Sequence, residues 1–293
     1  MDINRIAQYV PADKCWAIRM GVLDILNGEA HRIDHKLSNL KAKSTAELGQ
    51  DLLALHACAQ VWENNSSVIP VSGCKTLYCY LKYAAWKQGS MKSFLLNDDL
   101  LMRKPSSDNK MVSMNLKKLL EVDNKTSQWA SAAAICGSKE RSLHPTPHLE
   151  ITYKAVSMWL SVQRHQSDYN LFKDTIILSQ AKALVGLLSG DRKDMPDKSR
   201  AENYFFYRML GEFTFFDGVS KFPYLKDGKE RLREMEKAMS SYKENKTVES
   251  HDHRIVQAIA MRGMLDGKNA SIEDPDCVVK SWPAFWYFLQ EIS

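Results

Sequence analysis

Six times along this chain a polar or charged start leads into about four helical turns and then a glycine. The segments are 13–28 (DKCWAIRMGVLDILNG), 72–89, 126–137, 174–190, 197–211 and 251–267 (HDHRIVQAIAMRGMLDG). Such self-similarity limits the chain to folds built from one repeated unit. Asp, Ser or Thr near each start can cap free amides, and the glycine supplies a left-handed stop. A second helical pattern follows most of them, at 44–62, 107–122, 148–162, 228–241 and 282–292. Between the two helices lie stretches of β character at 90–96, 213–220 and 269–276. The unit thus reads as strand, helix, strand, helix and a further short strand. In the fourth, SGDRKDMPD runs straight into the fifth without a second helix.

The cations are placed against the helix dipole. Lys14, Lys75, Lys198 and Arg254 fall in first turns, where acids are favoured, and Lys280 sits just before the last helix. Each alone costs only ~0.3–1 kcal/mol. Together they suggest that helix N-termini converge with Lys and Arg on a phosphate or carboxylate. A helical repeat scaffold without chemistry is the plainer account of the same pattern.

Composition narrows the classes. With 44% hydrophobic and 26% charged residues, the 293-residue chain is an ordinary globular sequence, long enough for one large or two medium domains. No apolar run approaches the ~18 residues of a membrane span, and MDINRIAQYVPADK lacks a signal-peptide core. The six cysteines form no CxxC pair, which fits a reducing compartment, and the expected location is the cytoplasm. The eight histidines show no helical zinc spacing. The net charge of +5 suits small anions as well as nucleic acid.

Several motifs resemble the 5-enolpyruvylshikimate-3-phosphate synthase family. HDHRIVQAIAMRGMLDG followed by IEDPDCVVKSWPAF resembles its DHR helix and its I-x-D-x-x-x-V-x-K-S-[FWY]-P-x-F ending. PADKCWAIR (11–19) is similar to P-x-S-K-S-x-x-x-R, TSQ (126–128) to SSQ, MPDKSRAE (195–202) to its aspartate segment, and KERL (229–232) to the end of K-E-x-D-R. The order is collinear over nearly the whole chain. The resemblance implies an α/β, two-lobed fold of repeated βαβαββ-type units, an inside-out α/β barrel with its fourth unit truncated. The lobes would be 12–165 and 166–293, the latter joined by an N-terminal strand, 1–11.

What the resemblance implies for function is a transferase of the shikimate pathway, in chorismate and aromatic amino acid biosynthesis. It would move the enolpyruvyl group of phosphoenolpyruvate to shikimate 3-phosphate and release phosphate. Lys14, Arg231, Arg254 and Lys280 would grip phosphoenolpyruvate. Thr126, Ser127 and Gln128 would hold the shikimate phosphate and ring, with Arg19 in support. Asp197 would take the proton of the attacking hydroxyl, and Glu230 or Asp227 would act at the enol carbon. Cys15, Lys104 and His148 stand where the family has Ser, Arg and Tyr, and Tyr78 stands for an arginine. Lys226 is an alternative for the displaced lysine. No metal or organic cofactor, no nucleic acid and no membrane is implied, and a monomer is expected. The rivals are an impaired homologue that keeps the fold and anion binding, and, from another class, a basic helical module that binds nucleic acid or protein.

Overall fold

Aspartates cap the starts of three long helices, and left-handed glycines follow the ends of five helices. Asp13, Asp174 and Asp252 each accept a first-turn backbone N–H: from Trp16 at 3.0 Å, from Ile176 and Ile177 at 2.9 and 3.0 Å, and from Arg254 at 3.0 Å. Gly28, Gly89, Gly190, Gly211 and Gly267 take φ between +61° and +78°, where a Cβ would be strained. The acid that the helix dipole demands is thus at the cap, one or two residues ahead of Lys14 and Arg254.

The computed structural model describes residues 3–43, 48–64, 66–103, 108–122, 128–137, 149–222 and 229–293. The chain folds into two compact units, Met1–Pro11 with Lys173–Ser293 (unit 1) and Ala12–Phe172 (unit 2).

Unit 2 contains α2 (Lys14–Leu26), α3 (Ala30–Lys43), α4 (Gln50–Glu63), β1 (Val68–Ser72), α5 (Lys75–Lys87), β2 (Ser93–Leu96), α6 (Asp98–Arg103), α7 (Asp108–Val112), α8 (Leu116–Val122), α9 (Gln128–Cys136) and α10 (Glu150–His165). α2 is buried on every side from Ala17 to Ile25, so it is the central helix, packed by α3, α4, α9 and α10. Within that run Asp24 is fully buried. Its carboxylate accepts from Trp159 Nε1 at 2.9 Å and Tyr169 Oη at 2.5 Å, which fastens α10 and the segment after it to α2.

Unit 1 contains α1 (Ile3–Ala7), α11 (Thr175–Leu188), a 3-10 turn (Ala201–Asn203), α12 (Tyr204–Met209), α13 (Phe215–Lys221), α14 (Lys229–Lys243), α15 (His253–Leu265), a 3-10 segment (Pro275–Lys280) and α16 (Phe285–Ile292). Here α15 is the central helix, buried from Ile255 to Met261. Aromatic side chains fill the space around it: Tyr204, Phe206 and Tyr207 from α12, and Trp282, Phe285 and Phe288 near the C-terminus.

This architecture overturns the expected one. Among the described residues there are two strands, β1 and β2, paired in parallel with Ile69 opposite Phe94, and one isolated bridge, Val248 with Ile272. Repeated βαβαββ units would cover each helix with sheet, but here helices cover helices. The chain is therefore not an inside-out barrel of the enolpyruvyl-transferase type, and no fourth unit is truncated. Two β readings fail for local reasons. The stretch 213–220 is mostly helix α13, because Thr214 and Asp217 form a reciprocal capping box that outweighs the β preference of FTFF. The segment 1–11 carries helix α1 instead of a strand, and Tyr9 is held by its carbonyl, which accepts from Trp282 Nε1 at 2.7 Å.

Candidate functional site

The residues singled out by the resemblance fall into both units. In unit 2, Lys14 begins α2 and its Nζ bonds Asp51 at 2.8 Å. Cys15 follows it, and its carbonyl accepts from Arg19 Nη1 at 2.7 Å. Arg19 is buried, donates through Nε to Thr152 Oγ1 at 2.8 Å and lies over the Tyr80 ring. Gln128 begins α9 and donates to Thr76 Oγ1 at 3.0 Å, joining the starts of α9 and α5.

In unit 1, Asp197 is exposed and accepts both the N–H and O–H of Ser199 at 2.8 Å, bonds that hold its carboxyl below the usual range. Arg231 meets Asp252 at 2.5 Å, so the cap of α15 is also an ion-pair partner. Arg254 follows in the first turn, and Lys280 ends the 3-10 segment, both half-buried. Glu230 is exposed on α14. Lys104, Thr126, Ser127, His148, Lys226 and Asp227 lie outside the described residues. The reaction that gave these side chains their roles needs the two-lobed β-rich scaffold, and that scaffold is not this fold. Enolpyruvyl transfer, its pathway and its two substrates are therefore withdrawn.

Other clusters are chemically uninformative. Asp34, Ser38 and His56 are the residue types of a hydrolase relay, but Asp34 Oδ1 at 2.9 Å and Ser38 Oγ at 3.0 Å both meet Nε2 of His56. A relay needs one partner on each ring nitrogen. Among the described residues no three His, Cys, Asp or Glu side chains gather as metal ligands. A groove of about 650 Å³ in unit 1 is lined by acids and bases together, among them Glu230, Glu234, Glu249, Arg233, Lys237 and His251, and several of them are already paired. Ser250 donates to Glu234 at 2.5 Å and Lys237 meets Glu249 at 3.0 Å.

The second groove, about 540 Å³ in unit 2, has a different character. Tyr78, Lys82 and Trp86 line it, four residues apart and so on one face of α5. That helix ends at Gly89, and the chain turns through Met91 and Lys92 into Phe94 of β2, which forms the facing wall. Tyr78 is the buried floor: its hydroxyl donates to Asp108 Oδ2 at 2.9 Å and accepts from Lys82 Nζ at 3.0 Å, and its ring meets Phe94 edge-on. Burial, and then the Asp108 carboxylate, push its phenol well above the usual range. Lys92 Nζ donates to Ser66 O at 2.6 Å and lies over the Trp62 ring. Trp86 is 48% exposed and Met91 94%.

Charge separates the two units. Unit 2 carries 20 Lys and Arg against 15 Asp and Glu, while unit 1 carries 20 of each, so the whole excess belongs to unit 2. Between 75 and 125 there are ten cations and five acids, so that stretch alone matches it. Lys87, Lys110 and Lys117 are exposed there without an ion-pair partner among the described residues.

This chain matches no protein-family model, no curated protein and no solved structure. The groove was not anticipated above, although LYCYLKYAAWK (77–87) shows its aromatic and cationic residues at helical spacing.

Proposed function

We propose that this chain is a basic helical nucleic-acid-binding module whose phosphate contacts are made by unit 2. The observation that carries the reading is the partition of charge, with the entire excess of +5 on the unit that holds the aromatic and lysine-lined groove. Nucleic-acid affinity rests largely on cations that displace counterions from phosphates, and such affinity falls steeply with salt. A protein partner is less favoured, because the groove brings lysines together with aromatic side chains, the combination that holds phosphates beside stacked bases. The six cysteines, none in a disulfide, support a reducing compartment such as the cytoplasm. No helix among the described residues is long and apolar enough to cross a membrane.

The test is binding of a labelled oligonucleotide to the full chain at rising salt. With about four phosphates neutralised, a fourfold rise in salt weakens single-strand binding on the order of 50-fold. Lys87→Glu combined with Lys117→Glu flattens that dependence, whereas Lys243→Glu with Lys268→Glu in unit 1 leaves it unchanged. Salt-independent binding, no binding, or equal effects from both pairs would contradict the reading.

A further inference from the structure

We infer that the groove between α5 and β2 selects single-stranded over duplex nucleic acid, by stacking a base on Trp86. This rests on the nucleic-acid reading above and adds the class of ligand. A stacking platform needs a broad aromatic face that is open to solvent yet held still. Trp86 has both properties. Its ring is half exposed, and it is braced by Tyr83, with centroids 5.6 Å apart at 63°. Tyr83 is itself buried, and its hydroxyl donates to Met114 O at 3.1 Å, so the brace is anchored to the loop before α8.

The surroundings suit one strand. The groove's volume of about 540 Å³ lies in the ~300–1,000 Å³ range of small-molecule sites, the scale of one or two nucleotides and far below a duplex. Lys82 and Lys92 stand in its lining, oriented by contacts to Tyr78 and Ser66, so two cations belong to the same groove as the platform. An ammonium has three donors, and Lys92 uses one of them on Ser66. The facing wall adds polar backbone. Ser93 donates its N–H to Ser67 O at 2.7 Å, which directs the N–H and C=O of Phe94 away from β1, toward the open edge of the sheet. Phe94 lines the same groove as Trp86, so a base there has polar groups to pair with, whereas paired bases inside a duplex present neither a free face nor a free edge.

The experiment compares a single-stranded 12-mer of thymidine with a blunt 12-base-pair duplex, bound to full-length wild type, Trp86→Ala and Trp86→Phe at fixed moderate salt. The expected result is at least tenfold preference for the single strand in the wild type. Trp86→Ala should weaken single-strand binding by about 5- to 150-fold, the worth of one stacked base. Duplex affinity and the salt dependence should stay unchanged, and Trp86→Phe should retain most of the affinity. Because Trp86 is half exposed at a helix end, unchanged far-ultraviolet circular dichroism is expected for both variants. Strong, salt-sensitive binding that ignores Trp86→Ala, or that loses both ligands equally, overturns the stacking site while leaving the nucleic-acid reading intact. No binding of either oligonucleotide overturns both. Binding of an acidic extended peptide in their place would reassign the groove to strand addition on β2.

Discussion

Replacing Trp282 by alanine should cost unit 1 about 3–5 kcal/mol, the range for removing a large buried aromatic side chain. Trp282 is fully buried, stacks on Phe288 with centroids 5.2 Å apart and meets Phe285 edge-on at 5.1 Å. Its indole N–H also donates to Tyr9 O at 2.7 Å, which ties the first eleven residues to the C-terminal end of the same unit. Truncation removes the packing and leaves that carbonyl without its donor. Urea unfolding of the full chain, followed by far-ultraviolet circular dichroism, should show a large fall in midpoint for Trp282→Ala. Trp282→Phe should fall in between, because it keeps an aromatic ring but loses the hydrogen bond. Conversely, Lys280→Ala should barely move the midpoint, since Lys280 is half-buried with no partner among the described residues. A Trp282→Ala midpoint equal to wild type would contradict the packing described for this unit.

The second large effect is a pH dependence centred on Asp24. Burial pushes its carboxyl up to about 6 from an ordinary 3.8, against the hydrogen bonds from Tyr169 and Trp159 and the nearby Arg32, which favour the charged form. The folded protein therefore holds this proton over a range in which the unfolded chain has released it. Stability contributed by Asp24 is full below about pH 4, declines as pH rises through 4 to 6, and levels off above, a total of about 3 kcal/mol. Asn is nearly isosteric, can accept from Trp159 Nε1 and donate to Tyr169 Oη, and cannot ionise. The stability of Asp24→Asn relative to wild type should thus rise with pH by about 2.4 kcal/mol between pH 4 and 7, most of that total. Other groups titrate alike in both proteins and cancel in the comparison. A difference that is flat with pH, or that falls, would contradict the buried environment of this carboxylate. Asp24→Ala should be destabilising at every pH, because it strands two buried donors.

The helices were largely legible because their ends are local chemistry. Asp13, Asp174 and Asp252 at the starts and the left-handed glycines at the stops can be read from a few adjacent residues. β2 also falls within a stretch of β character, 90–96. What covers each helix is not local, and there the reading failed. α2 and α15 are buried on all sides by other helices, yet an apolar helix between short β-like stretches has the same sequence pattern in a βαβ unit. The C-terminal motif misled for a related reason. The spacing of Ile272, Val278, Trp282 and Phe285 is the spacing of a packed core, with Ile272 in a bridge to Val248 and the last three fully buried. In the DHR segment, Asp252 caps α15 and pairs with Arg231, so the acid that the dipole required was in the motif itself. The groove had a visible signal in Tyr78, Lys82 and Trp86 at intervals of four. Its far wall, Phe94, joins them through the turn at Gly89 and the pairing of β2 with β1, which that spacing does not encode.

The most direct test of the nucleic-acid reading is to crosslink a bound single-stranded oligonucleotide to the full-length chain with ultraviolet light and map the adducts by mass spectrometry. The account predicts adducts on Trp86 and the 89–94 turn, lost when unlabelled oligonucleotide competes. Competable adducts confined to unit 1 would contradict it.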